Sequence, residues 1–232
     1  MRSGADTDTE ATVSRVAGAG PRDAEAMAAD ATVATGRAGA EPAAATLTVA
    51  VVNGSPSERS KTAALADVIV TTLRDLLEPD GVDVEVRRID VYRLGAGFTG
   101  ALDRDDVPAQ TQEVLDAAEH ADLLIAATPV FRGSYTAMFK HFFDLVGQYA
   151  LTNKPVFLAA TGGGDHHALV LEHALRPLFG FFQAMTVPVA VFASSGDFDG
   201  TTLLNPRVYS RIEVALDDVR TVLRVRAAGR GS

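Results

Sequence analysis

From residue 47 onward the chain alternates two hydrophobic rhythms. Continuous apolar runs at 47–53, 122–128, 155–161 and 186–193 read as strands buried on both faces. Val82, Val84 and Val86 alternate with charged residues, which predicts a strand with one wet face or a place at a sheet edge. Between the runs, apolar residues recur at helical spacing. Leu65, Ile69, Leu73 and Leu76 form one stripe, and Phe139, Phe142 and Val146 belong to another. Val208, Ile212, Leu216, Val219 and Leu223 predict a single last helix opened by Pro206. Strand and helix in strict alternation demand a mostly parallel sheet with helices on both faces. The expected architecture is α/β: a doubly wound, five-stranded parallel sheet in the order 2-1-3-4-5.

The ends of the chain break this rhythm. Residues 1–45 are mostly Ala, Gly, Thr and acid, and the few larger aliphatics include Val13, Val16 and Val33. They cannot bury enough surface to offset chain entropy. The expected organisation is a disordered extension at 1–45, a domain at 46–225 and a disordered tail at 226–232.

Composition narrows the function. The chain is 47% hydrophobic and 22% charged, enough for a sizeable core. Its net charge of -9, without a long basic run, argues against a nucleic-acid surface. No apolar run approaches the ~20 residues of a membrane span, and residues 1–45 lack the apolar core of a secretory signal. A cytoplasmic protein is expected. With no cysteine, disulfides, thiol catalysis and Cys-ligated metals are ruled out.

Three loops carry the candidate chemistry. After the first strand, Gly54 and Pro56 suit a tight turn. Ser55, Ser57, Ser60 and Thr62 supply hydroxyls there, and Lys61 a positive charge. A strand, a polar turn and a helix N-terminus together form an anion cradle. A Walker A loop fits badly, since Arg59 and Ser60 stand where its second Gly and its Lys belong. The third strand ends in Pro129-Val130-Phe131-Arg132-Gly133-Ser134, and the fourth in Thr161-Gly162-Gly163-Gly164-Asp165. In the expected order these strands are neighbours, so the three loops meet at one carboxyl edge. Glycine backbones and an aromatic wall suit a flat ring beside the phosphate. His166 and His167 are adjacent in sequence and have no carboxylate at ligand spacing, which disfavours a metal. A G-x-S-x-G elbow is missing.

These motifs, with Glu172-His173-Ala174-Leu175-Arg176-Pro177-Leu178-Phe179, resemble the flavodoxin-like NAD(P)H-dependent FMN reductases. The nearest branch partners luciferase-like and alkanesulfonate-type flavin monooxygenases. The resemblance spans about residues 46–200 and implies FMN reduced by NADPH or NADH, with reduced FMN passed to a partner monooxygenase. It implies a phosphate site at Ser55, Ser57, Ser60 and Thr62. Pro129, Val130, Phe131, Gly133 and Ser134 would line the ribityl chain and ring. Thr161, Gly162, Gly163, Gly164 and Asp165 would meet the isoalloxazine edge. Relatives often carry Tyr at the position of Phe131. A quinone or azo reductase retaining its FMN, and a non-enzymatic flavin carrier, are the rival readings. No general acid or base is expected, because the cofactor carries the chemistry. Pro177 inside an apolar pattern predicts a bulge or kink between residues 169 and 177. The resemblance makes that segment a contact between copies in a homodimer or homotetramer.

Overall fold

The computed structural model describes residues 45–229, so the expectation for 1–45 lies, Ala45 apart, outside the described residues. The chain runs β1 (Ala45–Asn53), α1 (Lys61–Leu77), β2 (Val82–Asp90), a short helical turn α2 (Ala96–Thr99), α3 (Ala109–His120) and β3 (Leu123–Pro129). It continues through α4 (Ala137–Asp144), β4 (Pro155–Gly162), a π-helical turn (Leu171–Leu175), α5 (Arg176–Phe181), β5 (Met185–Thr186) and β6 (Val191–Ser194). A small pair, β7 (Phe198–Asp199) and β8 (Thr202–Leu203), precedes α6 (Pro206–Asp217) and α7 (Arg220–Gly229). The main sheet has the order β2-β1-β3-β4-β5, with β6 also on β4, and all its ladders are parallel. This is the predicted order 2-1-3-4-5, with β2 at an edge.

The continuous runs are continuous because both sheet faces are buried. On β1, Leu47, Val49 and Val51 join the core beneath α1, α6 and α7, while Ala50 and Val52 join the one beneath α3, α4 and α5. The same alternation runs through β3 (Ile125 against Leu124) and β4 (Phe157 against Leu158).

Three details depart from the expectation, and a fourth irregularity was foreseen. The fifth strand is two short pieces rather than one run, and Pro188, with no N–H to give a ladder, lies between them. The last helix breaks at Asp218-Val219 into α6 and α7. The second of these reaches Gly229, so 226–229 are helical rather than frayed. Leu223 and Ala227, four residues apart and both fully buried, hold this end on the core. A stripe completed by alanine is easily missed in a sequence. Lastly, the helix before Pro177 widens into the π turn at Leu171–Leu175, where the bulge was expected. Of the aromatic residues beyond it, Phe179 and Phe182 are buried in this chain's own core, and Phe179 meets Phe143 edge-on at 4.9 Å. Phe181 beside them is 62% exposed.

Candidate flavin site

The register brings the loops together. Asn53 at the end of β1 pairs with Asp90 and Ala127, Pro129 with Thr161, and Gly162 with Ser194. The strands therefore stop level, and their following loops open on one carboxyl edge.

The first loop is set by its own side chains. Asn53 donates from Nδ2 to Asp90 Oδ1 at 2.7 Å, and its Oδ1 accepts the Ser55 N–H at 3.1 Å. Ser55 Oγ accepts the Ser57 N–H at 3.3 Å. Gly54 donates to Ala127 O at 2.8 Å and accepts from Thr136 Oγ1 at 2.8 Å. A Cβ on Gly54 would stand 2.9 Å from both Phe139 Cβ and Thr128 Oγ1, so only glycine fits. Ser60 caps α1, its Oγ accepting the Ala63 N–H at 3.0 Å. The amides of Lys61 and Thr62 have no intrahelical acceptor, which leaves them for an anion.

Of the predicted phosphate residues, Ser57 is exposed, Ser60 half-buried, and Ser55 and Thr62 buried. Thr62 Oγ1 lies 2.6 Å from Thr161 Oγ1, which ties the first loop to the end of β4. The Lys61 ammonium instead reaches Ser195 O at 3.4 Å and sits 5.8 Å from the Phe198 ring centroid.

The second loop is a tight hairpin. Phe131 N–H donates to Ser134 O at 2.8 Å, and Ser134 N–H to Phe131 O at 3.1 Å. Val130 N–H donates to Thr161 O at 2.7 Å, which docks the hairpin on β4. Phe131 is half-exposed. In the third loop, a Cβ on Gly162 would meet Phe192 Cζ at 2.9 Å and His167 Cβ at 3.1 Å. His166 and His167 stack with centroids 4.0 Å apart, and His167 Nδ1 is buried without a hydrogen-bond partner. Among the described residues there is no group of three metal-ligating side chains.

A fourth loop, after β6, was not anticipated. Asp197 Oδ2 accepts from Ser194 N–H at 2.6 Å and Ser194 Oγ at 2.9 Å, and its Oδ1 accepts from Asn205 Nδ2 at 2.6 Å. Burial pushes this carboxyl up, but the Asn205 and Ser194 hydrogen bonds outweigh it and hold Asp197 below the usual carboxylate range. The signal in the sequence was the Ser-x-x-Asp spacing of a capping box directly after the last strand.

These residues fit FMN. The donors at the start of α1 suit a phosphate. Gly54 and Gly162 each sit where no Cβ fits, and the half-exposed Phe131 offers a flat contact. No cation is needed to neutralise an acid inside the cradle, since Glu58 is exposed and lies 3.7 Å from Arg93.

Comparison with known proteins agrees. The profile of the NADPH-dependent FMN reductase family matches residues 47–199. An FMN reductase (NADPH) of Pseudomonas aeruginosa is 43% identical over 169 residues, covering 73% of this chain and 88% of the relative. The NADH-dependent FMN reductase SfnF of Pseudomonas putida is 42% identical over 180 residues, or 78% of this chain and 95% of the relative. Among solved structures, an oxidoreductase from Corynebacterium diphtheriae superposes with a TM-score of 0.70 at 33% identity, over 77% of this chain and 97% of that one. The apo form of the NADH:FMN oxidoreductase EmoB gives 0.64 at 31% identity, over 78% and 89%. With its sheet order, its Ser-rich cradle and these relatives, the chain belongs to the NADPH-dependent FMN reductase family and is an oxidoreductase using FMN and NAD(P)H.

Proposed function

We propose that this reductase supplies reduced FMN to a separate flavin-dependent monooxygenase. FMN, when bound, would supply the hydride acceptor for the nicotinamide of NAD(P)H, and the protein would contribute position and electrostatics. Ser55, Ser57, Ser60 and Thr62, with the open amides of α1, hold the phosphate, and Lys61, whose ammonium reaches the fourth loop, adds charge. Pro129, Val130, Phe131, Gly133 and Ser134 line the ribityl chain and one ring edge. Thr161, Gly162, Gly163, Gly164 and Asp165 hold the other edge through backbone donors.

One observation carries the release reading: the cradle is built from loop tips on an open edge. Ser57, Phe131, Gly133, Gly163 and Asp165 are all exposed. A flavin held there exchanges with solvent readily, as a delivered substrate must. The test is to dialyse the purified protein, add FMN and NAD(P)H, and follow free reduced FMN. Steady release supports the proposal. Stoichiometric retained FMN with turnover of a quinone or azo dye would replace it.

The same reading includes a homodimer or homotetramer. A groove of about 840 Å³ runs between α4 and the π turn, lined by Tyr135, Phe143, Val146, Pro177, Leu178 and Phe181. Lys140, Asp144, Gln148 and His173 also line it, and its apolar patch with the exposed Phe181 ring favours a second copy of this chain as the occupant. Light scattering of the full chain tests this, and a monomer would refute it.

A further inference from the structure

One residue of the second loop holds a backbone conformation that its side chain resists. Arg132 has φ 52° and Gly133 φ 84°. A two-residue hairpin of this kind needs positive φ at both central positions, and Asn-Gly or Asp-Gly supplies it with least strain. Gly133 conforms. Arg132 carries a Cβ in the left-handed region and lacks the short polar side chain that eases it. Among the described residues no hydrogen bond or ion pair of its side chain compensates. Arg132 is exposed, and none of the ion pairs among the described residues involves it. Strain that packing does not explain clusters at ligand-handling sites.

Its placement says which ligand. Arg132 directly follows Phe131, the half-exposed wall of the flavin site. The chain as a whole carries a net charge of -9, so unpaired cations at the mouth oppose the global field and draw in polyanions. Arg59, exposed in the first loop, has the same sign. A guanidinium presents a planar fork that matches phosphate oxygens in pairs.

We propose that Arg132 binds the bridging pyrophosphate of NAD(P)H and so sets the hold on the reductant. The inference rests on the second loop being the flavin wall. A nicotinamide stacked on a flavin beside Phe131 has its pyrophosphate at the lip, one ribose away. The 2′-phosphate of NADPH lies one further ribose away, on the adenosine side.

The test uses the full-length protein and three variants. Arg132→Asn keeps a residue that tolerates the left-handed turn and removes the charge. The flavin-free variant should melt at or above the parent temperature, and FMN affinity by fluorescence should be unchanged. KM for NADH and for NADPH should rise together by about tenfold or more, the loss expected for a charge-assisted contact. ADP-ribose binding, read by calorimetry, should weaken in parallel. Arg132→Lys should restore part of both, since the charge returns without the fork. Unchanged KM, a loss confined to NADPH, or FMN weakened as much as ADP-ribose would each overturn the proposal. Phe131→Ala separates the two readings. Unaltered FMN affinity there removes the loop from the flavin site, and the inference goes with it. Weakened FMN there, beside normal ADP-ribose binding by Arg132→Asn, leaves the wall in place and refutes Arg132 alone.

Discussion

Replacing Gly54 by alanine should damage the fold and the cofactor site together. The new methyl would stand 2.9 Å from Phe139 Cβ, Phe139 Cδ2 and Thr128 Oγ1. None of these is the loose end of a long side chain. Phe139 is fully buried and packs against Phe143 at 4.9 Å, while Thr128 Oγ1 accepts the Thr136 N–H. Relief therefore has to come from the loop backbone, at the cost of the Gly54 bonds to Ala127 and Thr136. Overpacking of this kind costs about 1–3 kcal/mol. For a domain of this size that lowers Tm by about 2–12 °C. Displaced amides also meet the FMN phosphate badly, so FMN affinity should fall as well. Gly163→Ala is the control for stability alone, because its nearest neighbour is His167 Cε1 at 3.9 Å, ordinary contact distance. Circular dichroism melts of the flavin-free proteins and FMN fluorescence titrations read both effects. A Gly54→Ala protein that melts and binds like the parent, or two variants that lose stability equally, would refute the steric reasoning.

Other outcomes can be checked with similar means. Ser55→Ala combined with Ser60→Ala should weaken FMN far more than riboflavin, at about 1.5–3 kcal/mol per lost bond to the charged group; equal weakening removes the phosphate assignment. Ser60→Ala alone should also cost about 1 kcal/mol of stability through the lost cap, visible in the melt without flavin. Phe181→Asp should lower the particle mass in light scattering and leave the subunit folded, whereas Phe179→Ala should cost about 3–5 kcal/mol of folding stability; an unchanged mass in the first variant puts the contact elsewhere. Asp197 has a depressed pKa, so its stabilisation is complete above the ordinary carboxylate range and is lost as pH falls through the folded value. Asp197→Asn should therefore flatten the fall of Tm below about pH 4, and an unchanged acid limb would contradict this.

Sheet order and loop placement were legible in the sequence because both follow from chain connectivity. Strands that bury both faces show it as unbroken apolar runs, and a doubly wound sheet puts alternate loops on one edge. The bulge before Pro177 was legible for an equally local reason, the missing N–H. What escaped depended on tertiary partners. Phe179 and Phe181 look alike in sequence, yet one packs on Phe143 and the other meets solvent. Lys61 opens α1, yet its ammonium reaches the fourth loop at Ser195, a residue far along the chain. The strain at Arg132 depends on the hairpin closing across only two residues, which the sequence alone left open.

The interrupted fifth strand bears on how this protein avoids sticking to itself. A parallel sheet ends in a row of peptide groups that could template another chain. Here that border is cut into pieces of two and four residues with Pro188 between them. Its carbonyls are also engaged: Arg176 Nη1 and Nη2 donate to Val187 O and Pro188 O at 3.3 and 3.1 Å, and Arg211 Nε donates to Ala190 O at 2.7 Å. On the opposite border β2 alternates valine with Asp83, Glu85 and Arg87. Both margins of the sheet thus resist strand addition, and sheet-to-sheet polymerisation is disfavoured from the native state.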